Sequence, residues 1–189
     1  MKRLPLILLL AGCAGGPVPP DWQLNSSAAM QRFTRTYLGG NTRAAELEFV
    51  GVKQELSATG RADLMARAEL VRCAARAASL EFDNCPEFEK LRADAGAEEI
   101  AYSDFLAGRA ARAAADDPLS RLVNLGVQFK SDKATPQSIS TAIDIASAQG
   151  WRRPLLAWLG VQEKRAEAAG DREALERIRR RIALVSGKS

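Results

Sequence analysis

The chain has 189 residues, 47% of them hydrophobic, with a formal net charge of +4. That length is enough to bury a core and falls within the range of one domain, and the small charge excess is no footprint for nucleic acid. There is no histidine, which removes Ser-His-Asp and Cys-His nucleophilic arrangements and histidine-containing zinc sites; neither a Gly-x-x-x-x-Gly-Lys nor a Gly-x-Gly-x-x-Gly phosphate motif occurs, so no cofactor is expected.

At the start of the chain, Lys2 and Arg3 precede an apolar run from Leu4 to Leu10, and the small residues Ala11 and Gly12 precede Cys13. This is the layout of a secretory signal. A membrane-spanning helix needs roughly 20 apolar residues, and Gly15, Gly16 and Pro17 interrupt the run well before that. The box Leu10-Ala11-Gly12-Cys13 resembles the lipobox of bacterial lipoproteins, the alternative being an ordinary secretory signal cut near a cysteine. The resemblance implies that residues 1–12 are a signal peptide that is removed, and that Cys13 is lipidated and anchors the protein in the membrane. Two or three acyl chains hold a protein where one alone binds marginally. Ala14, where members retained in the inner membrane commonly carry an aspartate, implies outer-membrane delivery with the body facing the periplasm. With Cys13 consumed by lipid, Cys73 and Cys85 remain as a pair in an oxidising compartment, which reads as a disulfide rather than two separate thiols.

Residues 14–25 contain two glycines, three prolines and no helical period, so residues 13–25 are expected to be a flexible tether and 26–189 a helical domain. Fully extended, twelve tether residues reach roughly 40 Å. Ser26 or Ser27 can cap a first helix running to Leu38, with Gly39 and Gly40 at its C-terminal turn. A second helix, from about Thr42 to Thr59, carries Ala45, Phe49, Val52 and Leu56 on one face. The third begins near Arg61, with Leu64, Ala68, Val71, Ala75, Ala78 and Phe82 on one stripe and Leu70, Cys73, Ala77 and Leu80 on an adjacent one. So wide a face predicts packing against two neighbours.

A short helix from about Pro86 to Asp94 is expected next. Disulfide closure then demands that the third helix end early or the turn double back, because Cys73 to Phe82 spans about 13 to 14 Å as helix and the three residues beyond cover at most about 11 Å. Glu98 to Ala115 is alanine-rich and reads as a helix. Asp117-Pro118 opens another, with Leu119, Leu122, Val123 and Gly126 on one side. Thr135-Pro136 opens a helix ending at Gly150, and Arg153 to Ala169 forms the next. Gly170-Asp171 then turns the chain into a last helix with Leu175, Ile178, Ile182 and Val185 on one stripe. The expected class is all-α, an antiparallel helix-hairpin array that is either a superhelix or an irregular bundle.

Gly40, Ala45 and Phe49 match the turn glycine, small residue and aromatic of the tetratricopeptide repeat, and the turns at Gln149-Gly150 and Gly170-Asp171 look similar to those of such repeats. The resemblance covers residues 26–60 and 136–187, with Leu155 standing where the small residue belongs; it implies a concave surface for a protein partner. The expected role is therefore a non-catalytic interaction scaffold or accessory factor held at the membrane by its N-terminal lipid and engaging another envelope protein, with no nucleic acid involved.

The competing chemistry is carboxylate catalysis on peptidoglycan, drawing on Glu81, Asp83, Glu87, Glu89, Glu98, Glu99 and Asp104, although acids at helix starts more often serve as caps and dipole partners. Arg177, Arg179, Arg180 and Arg181 form a basic run that reads as a contact for anionic headgroups or an acidic partner, or as a solvated face. Trp151 and Trp158 are expected to pack on the preceding helix, and Trp22 to dock on the body or rest at the membrane.

Overall fold

The computed structural model describes residues 18–113 and 115–187. Cys13 and the expected signal segment lie outside them. Among the described residues the fold is entirely helical: α1 Asp21–Leu38, α2 Thr42–Ser57, α3 Ala62–Ala78, α4 Pro86–Glu89, α5 Ala97–Leu106, α6 Pro118–Lys130, α7 Pro136–Ala148, α8 Arg152–Ala168 and α9 Arg172–Ser186, with a 3-10 turn at Arg92–Asp94.

Consecutive helices form antiparallel hairpins, α1 on α2, α7 on α8 and α8 on α9. The direction is visible in the α1–α2 pair, where Asn25 bonds Glu55 near one end and Arg32 bonds Glu48 towards the other. Helix α3 stands in the middle and touches α1, α2, α4, α5 and α6. Its alanines divide between two cores. Ala68 and Ala75 face α1 and α2, where Phe33, Leu38, Phe49 and Val52 are buried. Ala66, Leu70, Ala74, Ala77 and Ala78 face the larger core built with Phe88, Leu122, Ile143 and Trp158. The wide apolar face expected of this helix is thus spent on two neighbouring layers.

Small residues let α6 come close. A Cβ placed on Gly126 would lie 2.2 Å from the Ala77 carbonyl oxygen, inside the backbone of α3. Beside it, the indole Nε1 of fully buried Trp158 donates to the Ala78 carbonyl at 3.2 Å. The last carbonyls of a helix have no partner within it, so this bond satisfies a buried acceptor and pins α8 to the end of α3. At the other edge, Arg153 of α8 lies over the Tyr37 ring at 4.2 Å. It donates to the Tyr37 carbonyl, to Glu81 and to Thr42, and the Tyr37 hydroxyl donates to Glu81 at 2.7 Å. The array therefore closes, with α8 meeting α1.

Four boundaries differ from those read in the sequence. The tether does not extend to residue 25, because α1 starts at Asp21 after an extended Pro20. Trp22 packs on the core of the α1–α2 layer, and Ser26, buried in the helix interior, bonds back to the Gln23 carbonyl instead of capping. Helix α3 stops at Ala78 rather than Phe82: Leu80 takes a left-handed φ of 59° and the Glu81 amide closes onto the Arg76 carbonyl at 2.9 Å. Phe82 leaves the stripe and stacks on Phe129. The expected 86–94 helix divides into α4 and the 3-10 turn.

The longest misreading is at 98–115. Helix α5 ends at Leu106, where Gly108 turns with φ 79° and the Arg109 amide bonds the Asp104 carbonyl. Ala110 and Ala111 beyond it are exposed. Alanine has the best helix propensity, but in water most helical stability comes from burying an apolar face, and this run has none to bury.

The Gly126 contact makes a paired prediction for chemical denaturation. Gly126→Ala should lower stability by about 1 to 3 kcal/mol through overpacking. Gly160→Ala, at a helical position with nothing within 4 Å of the new Cβ, should raise it by about 0.5 to 1 kcal/mol.

Candidate functional site

A concavity of about 410 Å³ lies between α3, α5 and α6. Leu70 and Ala74 of α3, Phe105 of α5 and Val123 of α6 form an apolar floor. All four also belong to the main core, so the floor is the outer edge of that core. The rim is polar. Arg67 binds Glu99 at 2.6 Å, and the Arg112 guanidinium lies 5.2 Å from the centre of the Tyr102 ring. Glu98 and Ser120 complete it. Burial pushes the Tyr102 phenol above its ordinary value, so it stays protonated at neutral pH.

The hydrogen bond from Arg67 holds the Glu99 carboxyl below the usual range, so it is an ionised rim charge rather than a proton donor. An apolar floor under charges of both signs suits an apolar side chain from a partner, the anchor-in-pocket arrangement typical of protein interfaces.

Of the acids singled out in the sequence, Glu98 and Glu99 lie on this cleft and Asp83 and Glu89 on a second cavity, and most are engaged by cations. Glu81 is taken by Arg153 and Tyr37, Asp83 by Arg76, Glu87 by Lys90, and Glu89 by Arg92. Asp104 is shared by Arg109 and Arg92, whose hydrogen bonds hold its carboxyl low. Glu98 alone of the set sits on the cleft rim without an ion pair among the described residues.

The basic run on α9 is interleaved with carboxylates. Arg177 pairs with Glu173, Arg179 with Glu163 and Glu167, and Arg180 with Glu176; Arg181 has no such partner among the described residues. Trp158 is a core residue in edge contact with Phe129, and Trp151 lies half-buried where α8 begins. Cys73 and Cys85 form a disulfide with Cα atoms 5.9 Å apart. The early end of α3 and a left-handed Cys85, φ 46°, bring them together.

One buried charge escaped the sequence reading. Glu69 of α3 is 3% exposed, with Lys53 and Arg72 each 3.7 Å away. Its desolvation outweighs those cations and raises its pKa. It falls between Ala68 and Leu70 on the wide apolar face, which is the only signal the sequence carried.

No described helix is long and apolar enough to cross a membrane. Comparison with protein-family models, with curated proteins and with solved structures returns no match.

The lowered carboxyls set a pH dependence. A carboxyl whose folded pKa lies below its unfolded value contributes stability that is full above the unfolded value, near 4, and is lost as pH falls through the folded one. Thermal unfolding scans should give a midpoint that falls below about pH 4, set against the opposite contribution of Glu69, whose raised pKa adds stability as pH drops from neutral. In an Asp104→Asn, Glu99→Gln variant that fall should be shallower and the neutral-pH midpoint lower.

Proposed function

We propose that this chain is a lipid-anchored protein of the bacterial outer membrane, facing the periplasm, whose helical body is a non-catalytic scaffold for another envelope protein. The observation that carries this reading is Leu10-Ala11-Gly12-Cys13 placed directly after a charged start and a seven-residue apolar run. The Cys73–Cys85 disulfide supports it, since such bonds persist in oxidising compartments. The fold shortens the expected tether. Eight residues, Cys13 to Pro20, precede α1, so the body sits within about 29 Å of the anchor at full extension. Confinement at that distance raises the effective concentration of a membrane partner.

The cleft between α3, α5 and α6 is the surface best suited to grip such a partner, and the tetratricopeptide-like turns at 39–41, 149–151 and 169–171 fit the same scaffold role. The carboxylate reading has less support, because every acid of that set except Glu98 is engaged with a cation.

Two measurements test the two halves. Cys13→Ala should move the protein from the membrane pellet to the soluble or unprocessed fraction; a variant that stays wholly with outer membrane defeats the lipid anchor. A photo-crosslinking residue at Glu98 or Arg112 should give a discrete adduct in intact cells, whereas one at Arg177 on α9 should not. No adduct at either cleft position would count against the scaffold.

A further inference from the structure

The turn after α3 gathers three metal-ligating atoms. Cys73 lies near the C-terminal end of α3, the chain reverses through Leu80, and Asp83 and Cys85 return beside it. The two Sγ atoms and an Asp83 carboxylate oxygen all lie within 4.8 Å of one another. The carboxylate is held in place from two sides. It accepts the Cys85 amide at 2.9 Å and an Arg76 guanidinium N–H at 2.8 Å.

In the closed disulfide the sulfurs are neutral and bonded to each other. Reduction changes their chemistry, because the thiolate is the strong metal ligand. A tetrahedral zinc-type ion, with metal–sulfur bonds near 2.3 Å and metal–oxygen bonds near 2.1 Å, would hold the sulfurs about 3.8 Å apart and each about 3.6 Å from the oxygen. The carboxylate oxygen already lies within 4.8 Å of both sulfurs, and the sulfurs, bonded to each other in the disulfide, would part to that distance on reduction.

We propose that Cys73, Cys85 and Asp83 form a redox-gated site for a divalent cation of the zinc class, closed while the disulfide stands and competent once a dithiol has reduced it. The dithiol transfers two electrons and two protons to the disulfide and leaves as its own disulfide. The cation then displaces the two thiol protons to solvent, forming two metal–thiolate bonds and one bond to the carboxylate. Two thiolates and a carboxylate exceed the charge of the cation by one, and Arg76, already on Asp83, balances it.

A cavity of about 240 Å³ opens beside Asp83, Asn84 and Cys85. It leaves the fourth coordination position to water, the arrangement of sites that keep an open position. The proposal does not rest on the lipid anchor; in an oxidising compartment the closed form prevails, and the site reports arrival of a reductant.

The test uses the full chain carrying Cys13→Ala, so that no third thiol is present, reduced with a phosphine that is then removed without air. Cobalt(II) is the probe. The reduced chain should keep its helical circular dichroism and bind one equivalent, with a thiolate-to-cobalt charge-transfer band in the near ultraviolet that zinc(II) abolishes. The oxidised chain should give no band. Cys73→Ser or Cys85→Ser should remove most of it, and Asp83→Asn should weaken binding at least tenfold. Arg76→Gln, which keeps the carboxylate but removes the charge that balances the site, should weaken binding clearly less than Asp83→Asn does. A reduced chain that unfolds, a folded reduced chain without the band, or equal losses in the Asp83 and Arg76 variants would overturn the proposal.

Discussion

The structure hangs on how closely two helices approach the C-terminal end of α3. Gly126 brings the α6 backbone against the Ala77 carbonyl, and Trp158 of α8 supplies the donor that the buried Ala78 carbonyl lacks within its own helix. A larger residue at 126 would hold α6 off by the size of its side chain. Without the indole, a buried acceptor would face an apolar core, which is costly because its desolvation is uncompensated. Both contacts depend on α3 ending where it does, so that its last carbonyls are presented to neighbours and not to a further turn.

That early end also organises the chemistry. The reversal through Leu80 places Glu81 under Arg153, closing the α1 and α8 sides of the array, and brings Asp83 and Cys85 back to Arg76 and Cys73. One turn thus carries a cross-array ion pair, a disulfide and a carboxylate fixed beside it. Earlier in α3, Leu70 and Ala74 form the cleft floor with Phe105 and Val123, and the non-helical Arg112, Ala113 and Ala115 that follow α5 supply part of its wall.

Much of this was legible in the chain itself. The 3.6-residue period of Ala45, Phe49, Val52 and Leu56 named the buried face of α2, and Asp117-Pro118 and Thr135-Pro136 marked helix starts whose side chains do cap the backbone. The overlong helices share a cause. Periodicity and propensity describe what a segment would do if a partner were present, and they carried α3 through to Phe82 and an alanine run through to residue 115. The buried Glu69 was hidden for the same reason, since its neighbours in sequence did not reveal that Lys53 and Arg72 would flank it.

By itself the sequence determined the helical class, most helix starts and the resemblance at Cys13, because these rest on local spacing, on capping chemistry and on a short contiguous motif. Only the tertiary structure decided where α3 and α5 stop, which carboxylates are neutralised by cations, and which apolar residues meet at the cleft floor. Those outcomes depend on distances between residues far apart in the chain, such as Arg153 and Glu81 at 3.0 Å or Trp158 and Ala78 at 3.2 Å. No local pattern encodes such a distance.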